Sequence, residues 1–71
     1  MEILVFKTNL HYKKNIKQMM PHLDKLKGII KWNIDFQDKD KILRIVSDDL
    51  SPRLIENTLK NAGYACEELP D

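Results

Sequence analysis

The residues of this chain that could do chemistry are few, and most fall in one stretch. Lys7-Thr8-Asn9-Leu10-His11-Tyr12-Lys13-Lys14 carries an imidazole, a phenol, an amide and three lysines. His11 is its one strong metal donor. Zinc sites want three or four ligands, and Asn9 and Tyr12 are weak ones, so His11 reads as an exposed, non-ligating side chain. Cys66 is the single thiol. On a closing strand it reads as a small apolar residue. The neighbouring Glu67 and Glu68 should raise its pKa rather than activate it. If the chain did bind metal by non-standard ligands, His11 and Cys66 would be the pair to use, within one chain or across a dimer. His22 has no other ligand near it in sequence and reads as a surface or capping residue. Met19 and Met20 offer thioethers, which Cu(I) accepts, but their helical spacing reads as core filling. Lys7, Lys13 and Lys14 surround a helix start, whose free N–H groups and dipole favour an anion or an acidic partner contact. With no glycine-rich loop beside them, the plainer reading is a solvated lysine cluster. No Ser-His-Asp set, paired-carboxylate arrangement or nucleotide loop is apparent. Asp38, Asp40, Asp48 and Asp49 read as loop and helix-start acids, and no catalysis is expected.

The elements that must position these groups follow from periodicity. Ile3-Leu4-Val5-Phe6 is a continuous apolar run that suits a central strand buried at least in part on both faces, with Leu4 and Phe6 towards the helices and Ile3 and Val5 away. Thr8 or Asn9 is the expected N-cap of the first helix. Ile16, Met19, Met20 and Leu23 recur at the spacing of one helical face, with Tyr12 a turn before and Leu26 a turn after. Pro21 cannot donate to the carbonyl of Lys17, so a break is expected after Met19, with Pro21 starting a second helical piece. Gly28 is the expected C-cap. Ile30, Trp32, Ile34 and Phe36 alternate with Lys31, Asn33 and Asp35, a strand with one buried face. A polar turn over 37–40 leads to a strand over 41–47. There Leu43 and Ile45 should face the core, and Ile42, Arg44 and Val46 should face away. Ser51-Pro52 opens the second helix, Leu50 and Ile55 form a hydrophobic staple, and Ile55, Thr58, Leu59 and Ala62 make its buried stripe. Gly63 closes it, and 64–67 is a short last strand. Strand, helix, strand, strand, helix, strand in right-handed crossovers gives an α+β, ferredoxin-like βαββαβ sandwich. Its four-stranded antiparallel sheet carries both helices on one face.

Length and composition bound the remaining possibilities. The 71 residues make one domain, 1–71, with 42% hydrophobic and 7% aromatic residues. A domain of that size buries only about 60% of its unfolded surface. One cysteine allows no internal disulfide, which fits a reducing compartment. The apolar start is too short for a signal peptide or a membrane span, and the expected location is cytoplasmic. A net charge of +1 gives no electrostatic case for nucleic acid or an anionic membrane. The outward sheet face has no aromatic run on which bases could stack. It offers Ile3, Val5, Ile42 and Val46 among Lys31, Asn33, Asp35 and Arg44, a surface for a protein partner or for self-association.

Three features together resemble the heavy-metal-associated domain family, the small copper-chaperone-like modules also found at the N-termini of metal-pumping ATPases. They are the opening strand–loop–helix, Gly28-Ile29 leading into Trp32-Asn33-Ile34-Asp35-Phe36, and Asn61-Ala62-Gly63-Tyr64, which looks like the family's Ala-Gly-Tyr close. The resemblance covers nearly the whole chain and implies a metal transport or detoxification setting. It also implies a metal motif, Met-x-Cys-x-x-Cys, between the first strand and the first helix. Aligning on Ile16 puts Lys7 at the Met, Asn9 at the first Cys and Tyr12 at the second. Thiolates and imidazoles bind soft Cu(I) and Zn(II); an amide and a phenol of pKa about 10 replace them poorly. The chain thus looks like a member with a degenerate metal site and no cofactor. Its expected work is to bind a protein partner.

Overall fold

The computed structural model describes residues 1–37 and 39–70, so Asp38 of the polar turn and Asp71 of the tail lie outside the described residues. The elements are β1 (Glu2–Thr8), α1 (Lys13–Asp24), β2 (Ile29–Asp35), β3 (Ile42–Ser47), α2 (Pro52–Asn61) and β4 (Cys66–Glu68). The sheet order is β2-β3-β1-β4, and every neighbouring pair is antiparallel. Leu4 and Phe6 of β1 are buried, but on the other face Ile3 is exposed and Val5 half-buried, because both helices lie on one side of the sheet and leave that face open. They share one core with Leu43 and Ile45 of β3, Met19 and Leu23 of α1, Ile55 and Leu59 of α2, and Cys66 of β4. Both helices therefore cover the same sheet face, and the architecture is the ferredoxin-like βαββαβ sandwich.

The second half follows its sequence signals closely. The Ser51 hydroxyl accepts from the N–H of Arg53 at 3.2 Å, with Pro52 at the first helical position. Gly63, at φ +96°, lets Tyr64 N–H reach Leu59 O at 2.9 Å and Gly63 N–H reach Lys60 O at 3.0 Å. That pair of bonds satisfies the last carbonyls of α2. β4 comes two residues later than its apolar content implied, starting at the buried Cys66.

The first half departs at several points. α1 starts at Lys13 with Tyr12 as N-cap, because Thr8 is still a strand residue and neither Thr8 nor Asn9 caps the helix. Tyr12 and Met20 point outward, at 64% and 39% exposure, so the buried stripe narrows to Met19 and Leu23 with Ile16 half-buried. α1 runs unbroken through Pro21. Pro21 lies on the exposed side near the helix end, and burying both Met19 and Leu23 requires continuous helical phase. Gly28 does not cap α1, whose C-cap is Lys25. It turns the chain into β2 at φ +99°, where an added Cβ would stand 3.0 Å from Asp48 O and 3.1 Å from Leu50 Cγ.

β2 pairs with β3 as the expected hairpin, but it carries a bulge. Ile29 faces Ser47 and Lys31 faces Val46, leaving Ile30 as the extra residue. The bulge turns Ile30 out to 55% exposure and makes Ile29, not Ile30, a packing partner of the core. Ile42 lies on the open face opposite Asp35 yet is only 5% exposed. The exposed apolar surface of that face thus shrinks to Ile3 with the half-buried Val5 and Val46.

The candidate site at the first loop

The loop between β1 and α1 is held from every side. Thr8 N–H donates to Asp40 O at 3.1 Å, and the Thr8 hydroxyl donates to Lys41 O at 2.7 Å. The same hydroxyl oxygen accepts from Leu10 N–H at 3.3 Å. Leu10 itself is fully buried in the core, an anchor that no helical or strand period marks in the sequence. Asn9 Oδ1 accepts from the N–H of Ala65 at 2.9 Å, which ties the loop to the segment entering β4. A tight turn follows, with His11 N–H on Asn9 O at 2.9 Å. At the helix start, Tyr12 N–H donates to Asn15 Oδ1 at 3.2 Å and Asn15 N–H returns to Tyr12 O at 3.0 Å. These bonds satisfy backbone donors that a helix N-terminus leaves open.

The two positions matched to sulfur ligands therefore do other work. The Asn9 side-chain oxygen is occupied by a backbone N–H of another element. The Tyr12 ring stands in solvent, edge-on to the His11 ring at 6.5 Å between centroids, with Lys14 Nζ 5.7 Å from its centroid. A cation against the ring disfavours a second cation there.

The structure does bring His11 and Cys66 to one place. Both line a shallow cavity of about 290 Å³ beside Lys7, Asn9, Asp40 and Glu67. Yet among the described residues no three His, Cys, Asp or Glu side chains are arranged to hold a metal ion. Burial pushes the Cys66 thiol from an ordinary 9.0 up to about 12, with Glu56 adding to the rise and Lys60 opposing it. The acid responsible is thus Glu56 of α2 rather than the sequence neighbours Glu67 and Glu68. A thiol that keeps its proton at neutral pH is a poor nucleophile. Among the described residues, the donors at this cavity are therefore not grouped as a soft metal ion requires.

The raised thiol pKa has a consequence for stability. Below pH 9.0 both states hold the proton; between there and about 12 the unfolded chain loses it and the native chain keeps it. Stability should therefore fall as pH rises through that window. Urea titrations at about pH 8 and about pH 10.5 should show wild type losing more than Cys66→Ala, and iodoacetamide should label the native thiol slowly at the lower pH.

Lys7 projects from β1 with Nζ 3.9 Å from Asp40 Oδ1, and Lys14 leans over Tyr12. Lys13 is exposed and His22 is half-buried on α1. Lys7 lines the cavity; Lys13 and Lys14 do not.

No family model matches the chain, and no curated protein does either. Solved structures do. The yeast copper transporter domain Ccc2A, in apo and Cu(I)-loaded states, superposes with a TM-score of 0.82 at 18% identity, over 97% of this chain and 96% of that one. Oxidized MerP from Ralstonia metallidurans CH34 gives 0.82 at 14% identity, over 97% of both chains. A chain from work on crosstalk between Cu(I) and Zn(II) homeostasis gives 0.82 at 11% identity, over 97% of this chain and all of that one. The chain thus has the same ferredoxin-like fold as these structures. Among the described residues, no helix is long and apolar enough to cross a membrane.

Proposed function

We propose that residues 1–71 form a single heavy-metal-associated-type domain without the Cys-x-x-Cys site, a cytoplasmic, non-catalytic module that works by holding a protein partner. The shared fold with a copper transporter domain supports the family reading. One observation carries the rest: the Asn9 oxygen, at the position of a metal ligand, is bound to Ala65 N–H. A loop held this way presents a fixed surface, with the Asn9 oxygen already bonded. The partner would meet the open sheet face around Ile3, Val5 and Val46, or the first loop with Lys7, Lys13 and Lys14 beside it. The alternative, metal held by His11 and Cys66, finds both residues at one cavity, but among the described residues no third ligand is grouped with them.

Titrating Cu(I) and Zn(II) into labelled protein tests this directly. Amide shifts over residues 8–14 and at Cys66 should stay in place up to several equivalents of metal. Saturable shifts at His11 and Cys66 with micromolar metal would establish the alternative.

A further inference from the structure

The two edges of the sheet are treated very differently. β4 is three residues long, carries Glu67 and Glu68, and is followed by Pro70. Short, charged and proline-terminated, it is a poor template for another strand. β2 offers seven residues, Ile29–Asp35, with the bulge at Ile30 confined to its start. Residues 31–35 pair regularly with β3 on one side and form the sheet edge on the other. Lys31, Asn33 and Asp35 share the open face with Val46 and Arg44; Trp32 and Ile34 share the helix-covered face with Ile45 and Leu43. Alongside runs a groove of about 350 Å³ lined by Leu23, Leu26, Ile30 and Trp32 among others.

We infer that β2 pairs with β2 of a second copy, antiparallel and centred on Asn33, to join two sheets into one of eight strands. The charge pattern selects both occupant and register. A strand pairing must keep like faces together, which limits the shifts to two-residue steps. Centring on Trp32 sets Lys31 against Asn33, and centring on Ile34 sets Asn33 against Asp35. Only the Asn33-centred register places opposite charges opposite each other, Lys31 against Asp35, and the two-fold axis makes that pair twice. On the other face it sets Trp32 against Ile34, also twice. Just beyond the five paired residues stands the exposed Ile30, which lines the groove. Asp35 already has Arg44 at 4.0 Å within its own chain. In the pair, that carboxylate would lie between two cations. This association uses the sheet edge and does not depend on the partner reading given above.

Sedimentation equilibrium up to about 1 mM protein tests it, a range in which a micromolar dimer is almost fully formed. The wild type should reach twice the chain mass, with concentration-dependent amide protection in residues 31–35. Lys31→Asp, an exposed change, sets two acids against each other twice and should weaken association about tenfold or more. Lys31→Asp with Asp35→Lys should restore most of it. A chain that stays monomeric at the top concentration would overturn the inference. So would a dimer indifferent to Lys31→Asp but broken by Ile3→Lys, which would place the contact on the open face, and so would failure of the charge swap to restore pairing.

Discussion

Replacing both Asn9 and Tyr12 by cysteine is expected to turn a loop without useful metal affinity into a Cu(I) and Zn(II) site. The dissociation constant should move from above about 1 mM to below about 1 µM, a gain of more than about 4 kcal/mol. The reason lies in what the loop already provides. Position 12 is the N-cap of α1 and so stands against the free N–H groups and positive dipole of the first turn. A thiol there ionises readily, as Cys66 does not. Position 9 sits on a short loop that Thr8 and Leu10 fix to the rest of the fold. The change removes the Asn9 acceptor from Ala65 N–H, which costs about 1 kcal/mol and leaves the fold intact. Isothermal titration against a competing chelator measures the gain. An unchanged affinity would mean that the loop's shape, and not the chemistry of its donors, disables the site.

Phe6→Ala should cost about 3–5 kcal/mol of stability. Phe6 is fully buried at the middle of β1, the strand paired on both sides, and shares its face with Leu4. Nothing at the surface can move in to fill the space, because the helices above it are held by Met19, Leu23, Ile55 and Leu59 in the same core. A domain of this size has a total stability towards the low end of about 5–15 kcal/mol, so the variant would keep little of it. At about 4–8 °C per kcal/mol, the melting temperature should drop by tens of degrees. Thermal unfolding followed by circular dichroism reads this, and a drop of only a few degrees would place the centre of the core elsewhere.

Strand alternation and helix caps were legible where a single local force decides. Leu4 and Phe6 inward, Leu43 and Ile45 inward, Ser51 capping and Gly63 closing all depend on neighbours within a few residues. The misses occur where distant elements overrule the local pattern. Thr8 looks like a helix cap, but the carbonyl of Lys41 takes its hydroxyl and keeps it in the strand. Ile30 continues the alternation with Trp32, yet the bulge against Val46 and Ser47 turns it outward. Leu10 has no periodic partner and is buried because the loop folds over the end of the core. At the candidate site, the sequence disclosed which donors stand at positions 9 and 12, but not that Ala65 occupies one of them. Nor did it disclose that His11 and Cys66 come to one cavity, because 54 intervening residues separate a loop from a strand that only the β1–β4 pairing brings together.

The most direct measurement is the metal content of the native protein, purified without chelator or affinity tag and analysed by mass spectrometry for copper and zinc. Well under a tenth of an equivalent is the result predicted by a loop whose oxygen and ring are already committed. Close to one equivalent, lost on substituting His11 or Cys66, would contradict it.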